Sequence, residues 1–236
     1  MICAIVVAAG TGTRSGLADG KQMTSLAGEP MLAHTLRAFE ECPAIDAIVI
    51  VCHAERVDEC RERVVKATGA RKVVAVVAGG STRTRSVAAG LAAMPERCDV
   101  VAVHDGARPL IEPSTISDAI GLLESSRADG VVVGHPVVDT LKSIAPDGRV
   151  IATVDRTGLW AAQTPQVFRA PVLRSAQRRA ETQGSDATDD AALVEANGGS
   201  IVMLEGPRWN FKVTLAEDIE AADALLLRRK REGGAA

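Results

Sequence analysis

No tyrosine occurs among the 236 residues, and phenylalanine and tryptophan number only three and two. Base-stacking platforms of the kind that grip single-stranded nucleic acid are therefore scarce. A basic excess is missing as well, since the formal net charge is -3, whereas a surface that releases counterions from a polyanion carries a surplus of Lys and Arg. A nucleic-acid polymer is thus not an expected partner, and a nucleotide base would be held by backbone groups and small side chains. The five cysteines (Cys3, Cys42, Cys52, Cys60, Cys98) are odd in number and contain no CxxC pair, which points to reduced thiols in a reducing compartment. No apolar run is long enough to span a bilayer, and Met1 leads into a strand with no charged, cleavable leader. A cytoplasmic protein without a membrane partner is expected.

What is present begins with Ile2–Ala8, an unbroken apolar run suited to a strand covered on both faces. It feeds Ala8-Ala9-Gly10-Thr11-Gly12-Thr13-Arg14, followed by Gly20-Lys21-Gln22. A glycine-rich loop at the carboxyl end of a central strand lets backbone N–H groups approach an anion, and Arg14 and Lys21 add fixed positive charge. Two phosphate motifs fail on spacing. The dinucleotide fingerprint GxGxxG does not fit Gly10, Gly12 and Gly16, and the second strand ends Val51-Cys52-His53 without an acid for a ribose diol. The P-loop fails because Gly16 to Gly20 is one residue short and Gln22 replaces the magnesium-binding hydroxyl. An AAGxGxR loop with a lysine seven residues beyond the arginine looks like the signature of nucleotidyltransferases that join a nucleoside triphosphate to a sugar or polyol phosphate.

Strand-like runs alternate with helical periods: 2–8 then a helix near 30–39, 47–52 then 56–68, 73–78 then 83–94, 100–104 then 114–128, and 131–134. This rhythm predicts right-handed βαβ units, hence an α/β fold of Rossmann-like type with a mostly parallel sheet and helices on both faces. With 47% hydrophobic residues the chain can bury roughly 70–75% of its unfolded surface, so 1–236 is read as one domain. Past Pro136 the pattern becomes 140–144, Pro146-Asp147-Gly148 and 150–154, an antiparallel hairpin inserted at about 137–156. Such a hairpin either rims the site or reaches a partner subunit. The last helix, 215–231, ends in Arg228-Arg229-Lys230-Arg231, a cluster expected to be a solvated helix end favourable to the dipole.

The chemistry-bearing segments follow the strands. His104-Asp105-Gly106-Ala107-Arg108-Pro109 ends the fourth parallel run, so Asp105 and Arg108 lie at the sheet's carboxyl edge. Asp105 is a candidate metal ligand, because Mg²⁺ takes oxygen ligands and completes its shell with phosphates and water. An Asp capping the next loop is the plainer reading, and His104, ending a buried strand, reads better as a satisfied core residue than as a base. Gly79-Gly80-Ser81-Thr82-Arg83-Thr84-Arg85-Ser86 opens a helix. Its N–H groups with Ser81 and Ser86 could read a base edge and Arg83 a phosphate or ribose, while helix capping by Ser81 or Thr82 accounts equally well for the segment. Asp155-Arg156, Thr164-Pro165-Gln166, Thr188-Asp189-Asp190 and Asn210-Phe211-Lys212-Val213-Thr214 complete the polar inventory. Thr188 reads as the N-cap of a helix over 189–196, and Thr214 as the N-cap of the last helix.

Taken together over nearly all of positions 2 to 225, the segments AAGTGTR, GKQ, GGSTRTRSV, HDGARP, PVVDTLK, VDRTGLW, QTPQVF, ATDD and NFKVT resemble the 2-C-methyl-D-erythritol 4-phosphate cytidylyltransferases of the non-mevalonate isoprenoid pathway. The resemblance implies a catalytic set of Arg14, Lys21 and Lys212 on the reacting phosphates, with Asp105 beside a divalent cation, Mg²⁺. It implies CTP held by Ala8, Ala9, Gly10, Gly12, Gly80, Ser81, Arg83 and Ser86. The polyol phosphate would meet Thr140, Arg156 and Thr188, with Arg108 and Thr164 supporting the pocket. It also implies a homodimer whose hairpin arms embrace, carrying Thr140 and Arg156 into the partner's site. Gly20 stands where the family usually has proline, Met23 where an aromatic or Leu is common, and Gly106 where HDAARP has alanine, while Ser81 and Thr82 replace acidic or variable positions. None of these departures removes a charged group. Rival readings are a cytidylyltransferase for another polyol phosphate such as ribitol 5-phosphate, a dinucleotide-dependent oxidoreductase, and a catalytically silent binding domain.

Overall fold

The computed structural model of the chain describes residues 1–10 and 21–233. Seven strands form one sheet: β1 (Ile2–Ala8), β4 (Ala47–Cys52), β5 (Val73–Ala78), β6 (Val100–Asp105), β7 (Gly130–Pro136), β10 (Trp160–Arg169) and β11 (Ile201–Glu205), in the order β11-β7-β10-β6-β1-β4-β5. β1 pairs in parallel with β4 and β6, β4 with β5, and β11 with β7. β10 alone runs antiparallel, between β6 and β7. Two small pairs lie apart from this sheet: β2 (Ser25–Leu26) with β3 (Glu29–Pro30), and β8 (Leu141–Ile144) with β9 (Val150–Val154).

Alternate residues of each central strand feed two layers. Ala4, Val6 and Ala8 of β1 face a cluster with Leu32, Leu36 and Phe39 of α1 (Met31–Glu41), Cys60 of α2 (Val57–Cys60), and Ile116 and Ile120 of α4 (Pro113–Ser125). Cys3 and Ile5 face the opposite cluster, built on Val87 and Leu91 of α3 (Arg83–Ala93), Leu173 and Ala176 of α5 (Ala170–Gln183), and Val194 of α6 (Asp190–Ala196). Helices thus cover both faces, as the periodicity requires. All five cysteines are buried free thiols, and among the described residues no helix is long and apolar enough to cross a membrane. A third cluster lies at one end, where α7 (Ala216–Gly233) packs Ala222 and Leu226 against Leu26, Met31 and Leu110.

The β8–β9 hairpin stands away from both layers, and its Ile144 and Ile151 are 62% and 68% exposed. β10, α5 and β11 escape the periodic reading, as do the two-residue strands β2 and β3. β10 reads Trp-Ala-Ala-Gln-Thr-Pro-Gln-Val-Phe-Arg, and its ladder breaks between Ala162 and Gln166, so no alternation runs through it. The helix expected over 56–68 is broken into a 3₁₀ turn, the short α2 and a π-helical turn over Arg61–Lys66. The basic end of α7 is not merely solvated. Arg229 donates to the Leu110 carbonyl (3.0 Å) and to Glu112 (2.6 Å), and Lys230 donates to the Ala27 carbonyl (2.8 Å).

Candidate active site

The carboxyl ends of β1, β4, β5 and β6 converge because these strands are parallel and in register. Loops leaving them therefore meet. Gly79, just past β5, lies so close to Ala9 that an added Cβ would overlap the Ala9 Cβ, so only glycine fits there. The Gly10 carbonyl accepts from Gln22 Nε2 (3.1 Å). That bond sets the 3₁₀ turn Lys21–Met23 beside Gly10, just past the end of β1. Arg14 and Gly12 lie outside the described residues, as does the side chain of Lys21.

The GGSTRTRSV loop is stiffened from within. Gly80 N–H donates to Ser86 Oγ (3.2 Å), and Ser86 Oγ donates to the Thr82 carbonyl (2.9 Å). The hydroxyl of buried Ser86 is thereby committed to shaping the loop. Thr82 is the N-cap of α3, accepting from Arg85 N–H (3.2 Å), and Ser81 Oγ accepts from Arg85 Nη1 (3.2 Å).

Asp105, at the tip of β6, is the electrostatic centre. Its Oδ2 lies 2.8 Å from Lys212 Nζ and 3.9 Å from Arg108 Nε, and its Oδ1 lies 3.3 Å from Arg83 Nε. Burial works to raise the pKa of this carboxyl, but Arg83, then Lys212 and Arg108, outweigh burial and hold it below the usual carboxylate range. Asp105 is therefore a fixed anion. Arg83 is shared, since its Nη1 also meets Asp190 at 2.7 Å, and the Asp190 side chain is only 1% exposed. Burial raises the Asp190 pKa against the pull of Arg83. Among the described residues, Arg83 Nη2, Asp190 Oδ1 and Arg108 Nε are buried with no hydrogen-bond partner, which leaves the cluster capacity for further hydrogen bonds.

His104 has no free role as a base. Its Nε2 faces the Arg108 carbonyl (3.2 Å), which can only accept, so Nε2 carries the proton and Nδ1 accepts from Thr164 Oγ1 (3.0 Å). Thr164 Oγ1 in turn accepts from Asp105 N–H (3.1 Å). Burial pushes the His104 pKa down to about 3, which keeps the ring neutral, while the ring's two hydrogen bonds fix its tautomer. The break in the β10 ladder puts Thr164 at this position.

A polar lattice behind the site uses residues that the motifs contain but whose role no local pattern reveals. Asn210 donates to the Thr164 carbonyl (2.8 Å) and to Gln163 Oε1 (3.2 Å), while Arg108 Nη1 donates to the Asn210 carbonyl (2.8 Å). Gln166 Oε1 accepts from the N–H groups of Asp190 and Ala191 (3.1 and 3.0 Å), and its Nε2 donates to Asp189 (2.8 Å). The N-cap of α6 is Asp189, accepting from Ala192 N–H (2.9 Å), and not Thr188, because the helix begins one residue later than its sequence pattern suggests. Thr214 is likewise not a cap. The first-turn carboxylate of α7 takes over, Asp218 accepting from the N–H groups of Thr214 (2.6 Å) and Leu215 (2.8 Å).

The chain thus brings together Ala8, Ala9, Gly10, Gly80, Arg83, Asp105, Arg108, Thr164 and Lys212. Thr140 and Arg156 are exposed on the flanks of the hairpin, and Thr188 is exposed beside α6. Among the described residues, neither Thr140 nor Arg156 has a side-chain bond to this cluster.

The family described as 2-C-methyl-D-erythritol 4-phosphate cytidylyltransferase matches residues 2–228. The chain is 42% identical over 228 residues to a protein of that name from Desulforamulus reducens, covering 97% of each. It is 42% identical over 229 residues to one from Alkaliphilus metalliredigens, covering 97% of this chain and 94% of the other. Among solved structures it is similar to a 4-diphosphocytidyl-2C-methyl-D-erythritol synthase from Anaerococcus prevotii, with a TM-score of 0.83, 27% identity and 96% coverage of both chains.

Proposed function

The chain belongs to the 2-C-methyl-D-erythritol 4-phosphate cytidylyltransferase family, and on that premise we propose how its residues divide the chemistry. The reaction transfers the cytidylyl group of CTP to 2-C-methyl-D-erythritol 4-phosphate, giving CDP-methylerythritol and pyrophosphate. The ribitol phosphate and dinucleotide alternatives are not favoured.

A phosphate oxygen of the acceptor forms the new bond to the α-phosphorus of CTP. The bond from that phosphorus to the bridging oxygen breaks, and pyrophosphate leaves with the electron pair. The attacking oxygen is anionic near neutral pH, since a phosphate monoester loses its second proton at a pKa of about 6. No general base is required, which suits a neutral, internally bonded His104. Catalysis is then positioning and charge stabilisation. In this reading Lys212, Lys21 and Arg14 neutralise charge on the reacting phosphates, the backbone of 8–10, 12 and 80–81 cradles CTP, and Arg83 and Ser86 shape that cradle. Arg108 and Thr164 hold the pocket wall.

The observation that carries this reading is the ionised Asp105 set among Lys212, Arg83 and Arg108 beside the carboxyl end of β1. Among the described residues no group of three or more His, Cys, Asp or Glu side chains could hold a metal. A single carboxylate completed by triphosphate oxygens is nevertheless the donor set Mg²⁺ favours, so Asp105 fits a divalent cation brought with CTP. Bound there, Mg²⁺ would supply Lewis-acid neutralisation of the phosphate oxygens.

Thr140, Arg156 and Thr188 are assigned to the acceptor phosphate, the first two across a homodimer. The exposed apolar hairpin supports that assignment, because a lone two-stranded hairpin is at best marginally stable in water. A single cytoplasmic domain completes the reading. Incubation with CTP, Mg²⁺ and 2-C-methyl-D-erythritol 4-phosphate tests it. Pyrophosphate release in step with CDP-methylerythritol is expected, and no release above the acceptor-free control would refute it.

A further inference from the structure

The turn between β2 and β3 is held by side chains from two distant parts of the chain. It is a two-residue turn, Ala27-Gly28, with φ of +47° and +87°. Both positions need the left-handed region, as in a type I′ hairpin, and Ala27 occupies it against its Cβ. Two strands of two residues each cannot hold such a turn unaided.

The support comes from outside. His34 of α1, buried and with its pKa lowered by desolvation, donates from Nε2 to the Leu26 carbonyl at 2.7 Å. Asp223 of α7 accepts from Ala27 N–H at 2.6 Å, and Lys230, two turns further along α7, donates to the Ala27 carbonyl at 2.8 Å. Leu26 itself is fully buried against Ala222 and Leu226. Both backbone polar groups of one strained residue are thus gripped by one helix.

The same helix starts four residues after Lys212, and the Lys21–Met23 turn lies four residues before Ala27 at its nearest point. Between them the backbone is fixed at each step, Met23 being buried in the core and the Thr24 carbonyl accepting from Met31 N–H at 2.8 Å. α7 thus joins the two lysine-bearing segments, through chain continuity to Lys212 at one end and through its bonds to Ala27 at the other.

We propose that Asp223 and Lys230 are positioning residues for cytidylyl transfer, locking the Ala27 turn to α7 so that the Lys21 turn and the Lys212 segment keep a fixed spacing around the triphosphate. The inference rests on the role given above to Lys21. It also gives the basic end of α7 a function that its sequence alone does not reveal.

The test compares Asp223→Ala, Lys230→Met and the double variant with Asp223→Asn, whose Oδ1 can still accept from Ala27 N–H. Lys230 is exposed and Asp223 half-buried, so these proteins fold. The double variant is expected to lose kcat about ten- to a hundredfold, the scale of a roughly 1 Å misplacement. The KM for the polyol phosphate should stay within twofold, Tm should be little changed, and amide hydrogen exchange should quicken over 21–30 alone. Asp223→Asn should retain more than half of wild-type kcat. The proposal is overturned if the double variant turns over within twofold of wild type, if Asp223→Asn is as impaired as Asp223→Ala, or if Tm falls and exchange quickens throughout the sheet. Lys21→Ala, assayed alongside, separates the two ideas. Full activity in Lys21→Ala removes the role of Lys21 itself, whereas an inactive Lys21→Ala beside a fully active double variant removes only the clamp.

Discussion

Replacing Lys212 with alanine removes the ammonium 2.8 Å from Asp105 Oδ2, and two separate magnitudes follow. The Lys212 side chain is 45% exposed, whereas that of Asp105 is 11% exposed, so much of the pair's attraction is screened by solvent. Asp105 also keeps Arg83 at 3.3 Å and Arg108 at 3.9 Å. The loss of stability should thus match a surface-type pair, about 1 kcal/mol at most, which for a chain of this size lowers Tm by roughly 2–4 °C. The loss of rate is larger. A preorganised charge aimed at the developing charge of the transition state is worth about 10²–10³ in kcat, or roughly 3–4 kcal/mol. Steady-state pyrophosphate release at saturating CTP and acceptor, set beside calorimetric Tm, reads both quantities. Lys212→Arg should recover only part of the rate, because a planar fork does not reproduce a compact point charge. A kcat within threefold of wild type refutes the electrostatic role. A Tm lower by more than about 8 °C would instead make Lys212 a structural strut.

Other outcomes follow from the same cluster and from the hairpin. Asp105 is held below the usual carboxylate range, so its stabilising contribution is present above the unfolded value of about 3.9 and is lost as pH falls through the lower folded value. Lys212→Ala should raise that folded value, and the acid-unfolding midpoint of the variant should move to higher pH; an unchanged or lower midpoint contradicts the assignment. A base read by backbone groups in a narrow glycine-lined slot should be accepted in the order CTP, then UTP, with purines poor, and ATP or GTP supporting release as well as CTP does would overturn it. If each site takes Lys21 from one subunit and Arg156 from the other, mixing inactive Lys21→Ala and Arg156→Ala proteins after reversible dissociation restores about a quarter of wild-type activity. No recovery, with exchange of subunits verified by native mass spectrometry, would leave the hairpin as a cover over its own pocket.

What was legible in the sequence is what local pattern encodes. Ile2–Ala8 announces a strand buried on both faces by its unbroken apolar run, and β4 and β6 do the same. The glycines and cations after β1 point to an anion-binding edge, the expectation on which the proposed site rests. β10 stayed hidden because Gln163, Thr164, Pro165 and Gln166 interrupt any alternation, and the residues that spoil the pattern are those that tie Asn210, Asp105 and α6 together. Asp190 reads as one more acid in ATDD until the fold sets it against Arg83. Lys212, in the loop before α7, carries no local mark, since its partner is a carboxylate at the tip of β6. Pairings across a sheet are fixed by topology, and no window of neighbouring residues contains them.

The ion cluster at Asp105 also imposes an order of assembly. Arg83 precedes Asp105 by 22 residues, whereas Lys212 follows it by 107 and Asp190 is likewise 107 residues from Arg83. During synthesis at about 5–20 residues per second, the carboxylate and its first cation are made together, and Lys212 follows roughly 5–20 s later. The nascent chain therefore contains Arg83 and Asp105 well before Lys212 exists, and completion of the cluster waits on contacts of long sequence separation, the slowest kind to form. A chain released before position 212 would contain the complete glycine loop and the HDGARP segment but never the finished charge arrangement, so the last tenth of the protein completes a site that β1 begins.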